Sequence, residues 1–508
     1  MKNLIYLFLA VTTLFTVSCS NDDDAIDMEE EMGRTKVYNL GAVSDNAISG
    51  TATFTENEDL TTTVDLELTG TSAGNTHPAH IHFNTAAEGG DIAVSLEAVS
   101  GDTGTSTTVI SSLDDGTPIT YEEFLDFDGY INVHFSVDEL GTLIAQGDIG
   151  ANELTGVSKS YALGSVASPD ISGEATFFER VSGATLVELQ LEGTPDGGMH
   201  PAHIHFNTAA EGGDIAISLG AVNGTTGFKA SHVEALDDET AISYTELLSF
   251  DGYINVHLSA EELGTIVAQG DIGQNELTGE SLSYVLEERN ASGVSGQAIF
   301  SERVNGETLV TLDLDGVQAG AVHPSHIHEG SIATAPGAII VDLLTVTDTG
   351  LKQINVTALV DGTPLNYEAM TQIDGYINVH LSADDLSIVA QGNVGANAAG
   401  DGAKSFEVTN DGTTAYVFNA SDLTDASNPG LTLTRGATYT FSVDASGHPF
   451  FIKSVQGNTE ANAYSNGVTN NGAQSGTVTF VVPMDAPDTL FYNCQFHSSM
   501  TGVLTIVD

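Results

Sequence analysis

The chain of 508 residues is long enough for three to five domains of the usual ~100–200 residues. An apolar content of 41% and a mean hydropathy of +0.03 exclude wholesale disorder and a polytopic membrane protein. Because 70 acidic residues stand against only 12 Lys and Arg, the formal charge is −58, which excludes nucleic acid as a partner and favours cations.

The N-terminal segment predicts an export signal. An apolar run follows Lys2 and ends in small residues before Cys19. The run is shorter than the ~20 residues of a membrane-spanning helix, which favours a secretory signal over the alternative of a single transmembrane anchor. The segment resembles a bacterial lipoprotein signal, although Thr16 stands where that family usually has Leu. The resemblance implies a signal peptide over residues 1–18 and lipidation of Cys19.

An acidic segment comes next. Ser20-Asn21-Asp22-Asp23-Asp24 resembles the export tag of surface lipoproteins in some Gram-negative outer membranes. We therefore expect residues 19–36 to form a tether. This resemblance implies an exported protein that is held to the outer membrane by its lipid anchor and faces the cell exterior.

Between residues 37 and 405 the chain repeats itself three times. A His-Pro-Ala/Ser-His-Ile-His hexapeptide recurs at a constant interval of 123 residues, and a downstream Asp-Gly-Tyr-Ile-Asn-Val-His heptapeptide recurs with it. This period is much longer than the ~20–50 residues of solenoid units, so each copy is expected to be a domain with its own core. The predicted domains are repeat 1 (37–158), repeat 2 (159–281) and repeat 3 (282–404).

The repeats have the periodicity of β-strands. Apolar and polar residues alternate over Thr63–Leu68 and again over Leu309–Leu314, as they do in half-buried strands. Short Gly, Asn and Asp clusters separate such runs, which predicts an all-β sandwich or barrel. A single helical turn is predicted at Tyr121–Leu125.

Histidine carries the strongest chemical signal in the repeats. Four of the 15 histidines fall in each repeat at matching positions, two lie in the C-terminal region, and only His232 has no counterpart. Alternate residues of a strand share a face, so His80 and His82 are expected to point the same way. Imidazole suits copper and zinc, and clustered neutral imidazoles need a positive centre. The alternative is structural histidines bonded to the backbone, and the residues leave both interpretations open.

These motifs resemble those of the CHRD domain, the module named after chordin, over all three repeats. They are also similar to copper/zinc superoxide dismutase, which has a His-x-x-His-x-His strand, a later Val-His and a Gly-x-Ile-Gly motif such as Gly147–Gly150. The resemblance implies a Greek-key β-barrel fold and a copper or zinc site in each repeat. The implied ligands are His80, His82 and His134; His203, His205 and His257; and His326, His328 and His380. The implied supporting histidines are His77, His200 and His323.

Three departures from the dismutase pattern bear on activity. Residues 83–133 contain no histidine, so the residue that bridges two metals is missing. The disulfide cysteines of that family are also missing, and Leu143 occupies the position of the arginine that guides superoxide. The strong negative charge would repel the superoxide anion as well. We therefore keep a dismutase-like copper enzyme as an alternative and do not expect that activity.

Residues 405–508 break the repeat and predict a separate β domain. Strands are predicted at Thr432–Thr434, Thr438–Val443, Thr477–Val482, Leu490–Tyr492 and Val503–Val507. Between them lie His448 and a Cys494-x-x-His497-x-x-Met500 segment. Two imidazoles, a thiolate and a thioether are the ligands of a blue-copper site, which they hold with little reorganisation between Cu(I) and Cu(II).

This domain resembles the plastocyanin-like cupredoxins, and the ligand spacing is most similar to that of amicyanin. The resemblance implies a type 1 copper site in which Cys494 is the thiolate ligand, His448 and His497 are the imidazole ligands and Met500 is axial. The alternative for Cys494 is a buried structural cysteine. Met484 is expected to be a packing residue.

Together these features predict a cell-surface lipoprotein that binds copper and passes electrons to a redox partner that the sequence does not identify. A second hypothesis is a non-catalytic adhesive or spacer protein, in which the repeats hold the terminal domain away from the membrane. The dismutase-like enzyme is a third.

Overall fold

The computed structural model describes residues 33–43, 47–167, 171–347, 349–398, 404–420, 423–435, 437–483 and 486–507. The predicted signal peptide, Cys19, most of the tether and Met484 lie outside these residues. The predicted all-β class is confirmed, with 57% strand and 4% helix. The chain divides into two compact units, Met1–Glu153 and Leu154–Asp508. No helix among the described residues is long and apolar enough to cross a membrane.

Repeat 1 folds as one eight-stranded sheet in the first unit. Its elements are β1 (Thr35–Ala42), β2 (Ser49–Glu56), β3 (Thr62–Thr69), β4 (Thr76–Phe83), β5 (Ile92–Ser100), β6 (Thr105–Ile110), α1 (Tyr121–Leu125), β7 (Asp128–His134) and β8 (Leu143–Gly150). The strand order is β5-β4-β7-β8-β1-β2-β3-β6. Hairpin neighbours such as β1-β2-β3 stay adjacent, whereas β7 lies beside β4 and β6 beside β3, which are crossovers of the Greek-key kind. The predicted alternating strand lies within β3, and the predicted helical turn is α1.

Repeat 2 has the same strand order and closes into a barrel. Its elements are β9 (Leu154–Ser165), β10 (Ser172–Arg180), β11 (Thr185–Glu192), β12 (Met199–Phe206), β13 (Ile215–Asn223), β14 (Phe228–Val233), α2 (Tyr244–Leu247), β15 (Asp251–His257) and β16 (Ile266–Gly273). Pairing of β9 with both β10 and β16 closes the barrel. Residues from Leu154 onward therefore belong to this barrel.

Repeat 3 preserves the topology once more. Its elements are β17 (Leu277–Glu288), β18 (Ser295–Arg303), β19 (Thr308–Asp315), β20 (Val322–Glu329), a 3₁₀ turn (Ile332–Thr334), β21 (Ile339–Thr347), β22 (Leu351–Val356), α3 (Tyr367–Thr371), β23 (Asp374–His380) and β24 (Ile388–Gly395). The fully buried Arg303 joins it to repeat 2, since its guanidinium donates to Asp271 of that repeat at 2.7 Å. Within repeat 3 the same guanidinium donates to Asn355 at 2.9 Å.

The C-terminal domain is a sandwich of two sheets. Its strands are β25 (Lys404–Asp411), β26 (Ala415–Ala420), β27 (Leu423–Ser427), β28 (Leu431–Thr434), β29 (Thr438–Asp444), β30 (Phe450–Lys453), β31 (Val468–Thr469), β32 (Ser475–Val481), β33 (Thr489–Cys494) and β34 (Thr501–Val507). One sheet has the order β27-β26-β25-β29-β32-β31 and the other the order β28-β34-β33-β30. Each predicted strand of this domain corresponds to an observed strand.

The hydrophobic core of each repeat determines where the recurring motifs point. On β4, Ala79 and Ile81 are buried against the core, so His80 and His82 face the outer side of the sheet. The glycine motif has a steric cause. Gly150 has φ +61°, and a Cβ there would lie 2.2 Å from the Phe127 carbonyl oxygen. The same positive φ occurs at Gly273 and Gly395.

Candidate metal centres

Repeat 1 brings its three predicted ligands together on the outer face of its sheet. His80 and His82 lie on β4, and His134 ends the paired strand β7. One ring nitrogen from each of the three lies within 4.8 Å of the others. The nearest pair is His80 Nδ1 and His134 Nε2, at 3.1 Å. His82 and His134 are buried, whereas His80 is half-buried and gives the cluster its access to solvent.

Backbone hydrogen bonds define which ring nitrogens are free to bind a metal. His82 Nδ1 lies 2.9 Å from the Gly90 carbonyl oxygen, and His134 Nδ1 lies 2.6 Å from that of Leu140. Because a carbonyl oxygen only accepts, both Nδ1 atoms carry the proton and donate it. Each Nε2 atom then presents a lone pair toward the cluster. His82 Nε2 is buried without a hydrogen-bond partner, as expected for a nitrogen that awaits a cation.

The other two repeats reproduce this geometry. Their clusters are His203, His205 and His257 in repeat 2 and His326, His328 and His380 in repeat 3. The matching donations go from His205 to Gly213, from His257 to Leu263, from His328 to Gly337 and from His380 to Leu386. Among the cluster histidines, the buried ring nitrogens without a partner are His203 Nδ1, His205 Nε2 and His257 Nε2 in repeat 2 and His326 Nδ1 and His328 Nε2 in repeat 3. His200 Nε2 and His232 Nδ1, outside the cluster of repeat 2, also lack a partner.

Burial favours the neutral form of five of the cluster histidines. It lowers the pKa of His80, and the neighbouring His134 and His82 lower it further. Burial also lowers the pKa of His134. His203, His257 and His326 show the same direction, with burial as the largest cause in each. Since a metal ligand must be a neutral imidazole, these clusters are suited to bind a cation near neutral pH.

The supporting residues include some that sequence reasoning assigned and some that it missed. The predicted supporting residue His77 is buried, and its Nδ1 donates to the Phe135 carbonyl oxygen at 2.8 Å, next to His134. Tyr130 was missed. Its ring stacks on His82 at 4.9 Å, and its hydroxyl accepts from the Gly90 N–H. The repeated Asp-Gly-Tyr motif could have indicated it, but its stacking depends on the register that pairs His82 with Tyr130.

The C-terminal domain brings together a different set of ligands. Cys494 Sγ lies 3.5 Å from His497 Nδ1 and 3.8 Å from His448 Nδ1, and the two nitrogens are 3.1 Å apart. Cys494 is fully buried and is the only cysteine among the described residues. Met500 is fully buried in the same core cluster, and its carbonyl oxygen accepts from the Cys494 N–H at 2.9 Å.

Hydrogen bonds from the sandwich hold these ligands in place. The Phe496 N–H points at Cys494 Sγ over 3.5 Å, and the Tyr416 hydroxyl donates to the His448 carbonyl oxygen at 2.9 Å. Burial lowers the pKa of His448, and His497 lowers it further. Burial also raises the pKa of Tyr416, so its hydroxyl stays protonated beside the thiol. The site thus combines a buried thiol with two imidazoles.

Comparison with known proteins adds little to this geometry. No family model matches the chain, and no curated protein matches it. One solved structure with some similarity is described as "Biofilm associated protein - BSP domain". It is 10% identical, the match covers 94% of this chain and 96% of that chain, and the TM-score is 0.15. At that TM-score the likeness carries no argument about fold or function.

Proposed function

We propose that the protein is an exported lipoprotein of the outer membrane that binds copper and transfers electrons through the Cys494 site at the cell surface. In this proposal the three repeats are CHRD-type metal-binding modules, and the C-terminal sandwich is a cupredoxin. The redox partner is another protein of the cell exterior.

The observation that carries the proposal is the convergence of Cys494 Sγ with the Nδ1 atoms of His448 and His497. A thiolate with two imidazoles suits both oxidation states of copper, and a buried methionine such as Met500 is the usual weak fourth ligand. When bound, copper supplies a one-electron couple. The chain contributes a thiol that is buried away from water, and ligands that are held by backbone hydrogen bonds. Little rearrangement therefore accompanies a change of oxidation state.

The repeats support the metal-binding part of the proposal. His205 donates through Nδ1 and leaves a buried Nε2 without a partner. Because His200 and His232, outside the cluster, also have such a nitrogen, the support comes from the convergence of ring nitrogens from three histidines within 4.8 Å. A cation that accepts three lone pairs removes this deficit, and imidazole donors favour copper or zinc.

The spacer hypothesis has an observation of its own. Arg303 of repeat 3 is fully buried against Asp271 of repeat 2, and this ion pair ties the two domains together. A buried ion pair of this kind costs several kcal/mol to break, which stiffens the connection. A rigid connection between two repeats suits a protein that displays its terminal domain, and this role is compatible with metal binding.

Metal analysis together with a visible absorption spectrum of the purified mature chain tests the proposal. We expect copper in the C-terminal domain, a strong visible band after oxidation, and up to one metal ion in each of the four clusters. A chain that stays colourless with Cu(II) would contradict the electron-transfer function. Absence of stoichiometric metal from the repeats would favour the spacer, and a superoxide assay with a chelator control tests the dismutase alternative.

A further inference from the structure

One ligand of each repeat cluster lacks the backbone contact that orients the other two. In repeat 1 the Nδ1–H groups of His82 and His134 are held by carbonyl oxygens. Among the described contacts, His80 has only the cluster neighbour His134 on its Nδ1 atom, and nothing from the backbone on Nε2. Another group must therefore select which of its nitrogens carries the proton.

A carboxylate stands opposite this histidine in all three repeats, but it comes from two different places in the chain. His80 pairs across the strands with Ser95, whose N–H and hydroxyl both donate to Asp114. In repeat 2, His203 pairs with Ser218, which donates to Asp237 in the same way.

In repeat 3 the aspartate stands on the strand opposite the histidine, and the loop position has no acidic residue. His326 pairs directly with Asp342, whose Oδ1 lies 4.0 Å from His326 Nε2. The position of Asp114 is taken by Val360. The two occupy the same place in the fold, because the Val360 N–H donates to Ile340 just as the Asp114 N–H donates to Ala93. One carboxylate has moved from the loop to the strand.

In each repeat the carboxylate is located at the cross-strand partner of the same histidine, either bonded to that partner or part of it. Burial lowers the pKa of His80, His203 and His326, whereas Asp114, Asp237 and Asp342 respectively raise it. Retention of one negative charge despite the exchange of residues indicates a requirement for the charge itself. Asp342 accepts from a different backbone group, the Leu344 N–H, so the aspartates of the three repeats share the charge near the histidine and not one capping partner.

We propose that Asp114, Asp237 and Asp342 are positioning residues that keep the proton of the facing histidine on Nε2 and so direct its Nδ1 lone pair into the cluster. This inference rests on the proposed metal-binding function of the repeats. Carboxylates that orient a ligating histidine in this way strengthen metal binding, and their loss typically costs about 10–100-fold in affinity.

The test uses the full chain with a single active repeat site. His82→Ala, His205→Ala and Cys494→Ser leave only the cluster of repeat 3, and Zn(II) alone is the probe. Asp342→Asn keeps an oxygen that can accept from the Leu344 N–H, which Asp342 holds at 2.8 Å, but removes the charge. We expect Zn(II) affinity to fall about 10–100-fold. Asp384→Asn, which neutralises an exposed acid of the same repeat, is the matched control and should have little effect.

Two further measurements make the inference falsifiable. Asp342→Ser combined with Val360→Asp recreates the arrangement of repeats 1 and 2 and should restore the affinity. The second measurement is the ring ¹⁵N chemical shifts of His326 in the metal-free chain at mildly alkaline pH. They should show the proton on Nε2 when Asp342 is present, and a proton shared between Nε2 and Nδ1 in the Asp342→Asn variant. An unchanged proton position overturns the inference. A shifted proton without zinc binding supports the inference and contradicts metal binding by the repeats.

Discussion

The two kinds of cluster in this chain are built in opposite ways. In the repeats, all three ligands lie on paired strands, so their spacing is set by the sheet. In the C-terminal domain, Cys494 ends β33, His497 and Met500 follow in the short segment before β34, and only His448 comes from elsewhere. A strand-borne site tolerates changes in neighbouring loops, whereas a loop-borne site depends on the number of residues between its ligands.

Repeat 3 shows this tolerance. The loop that holds His82 in repeat 1 reaches Gly90, eight residues on, whereas the loop in repeat 3 reaches Gly337, nine residues beyond His328. The histidine nevertheless keeps its backbone acceptor and its stacked tyrosine, Tyr376. The sheet therefore preserves the geometry of the cluster across an insertion that would displace a ligand in the Cys494 segment.

The largest expected effect separates the two sites by colour. Cys494→Ser in the full chain should abolish the strong visible band with Cu(II), because that band is a thiolate-to-copper charge transfer. Metal binding by the repeats should be unchanged, since no cysteine belongs to their clusters. Visible spectroscopy and metal analysis of the same sample measure both.

Met500→Leu is the matched control for that substitution. It should keep the band and raise the reduction potential, because loss of a weak axial donor disfavours Cu(II) more than Cu(I). A band that survives Cys494→Ser, or a Cys494 that stays reactive toward a thiol reagent in the copper-loaded chain, would contradict its assignment as a ligand.

The second effect is a loss of affinity at one strand-borne site. His205→Ala removes one of three nitrogen ligands from repeat 2, so we expect its zinc affinity to fall by more than about 100-fold. His232→Ala is the control, since His232 lies in the same repeat but in none of the clusters. Equilibrium dialysis measures both variants. If His205 were only structural, its loss would cost about 1–3 kcal/mol of stability with no response to metal.

The sequence predicts much of this architecture because its signals are local. Alternation marks β3, a Thr120 cap with Glu123 begins α1, and the spacing of His80 and His82 places both on one face. The place of His134 in the cluster depends on the pairing of β4 with β7. Local patterns do not encode this pairing, and it was the resemblance that implied His134 as a ligand. The carboxylate opposite His80 was missed because its chain position differs between repeats, so a position-by-position comparison hides it.

The third effect is a pH dependence that should be stronger in the repeats. The pKa values of His80 and His134 are lowered in the folded state, chiefly by burial. The unfolded chain, with histidines near 6.5, therefore binds protons first as the pH falls. Stability is fully present above that value and is lost as the pH falls below it toward the lowered folded pKa.

In the C-terminal domain burial lowers the pKa of one histidine, His448, against two in repeat 1. Hydrogen exchange of the metal-free chain with a chelator present can follow β4 and β33 separately. Protection should fall more for β4 between about pH 7.5 and pH 5.5. Equal losses in both strands would contradict the comparison.

The smallest expected effect concerns the scaffold that makes the strand-borne site tolerant. The Tyr130 hydroxyl accepts from the Gly90 N–H at 3.1 Å, and the Gly90 carbonyl oxygen accepts from His82 Nδ1. Tyr130→Phe keeps the ring that stacks on His82 but removes this acceptor, so repeat 1 should lose about 0.5–1.5 kcal/mol of stability. Since His82 keeps its own carbonyl acceptor, the zinc affinity should fall by no more than about 10-fold, the low end for supporting residues. Tyr253→Phe offers the same change in repeat 2. A fall as large as that of His205→Ala would mean that the loop, and not the sheet, determines the geometry of these clusters.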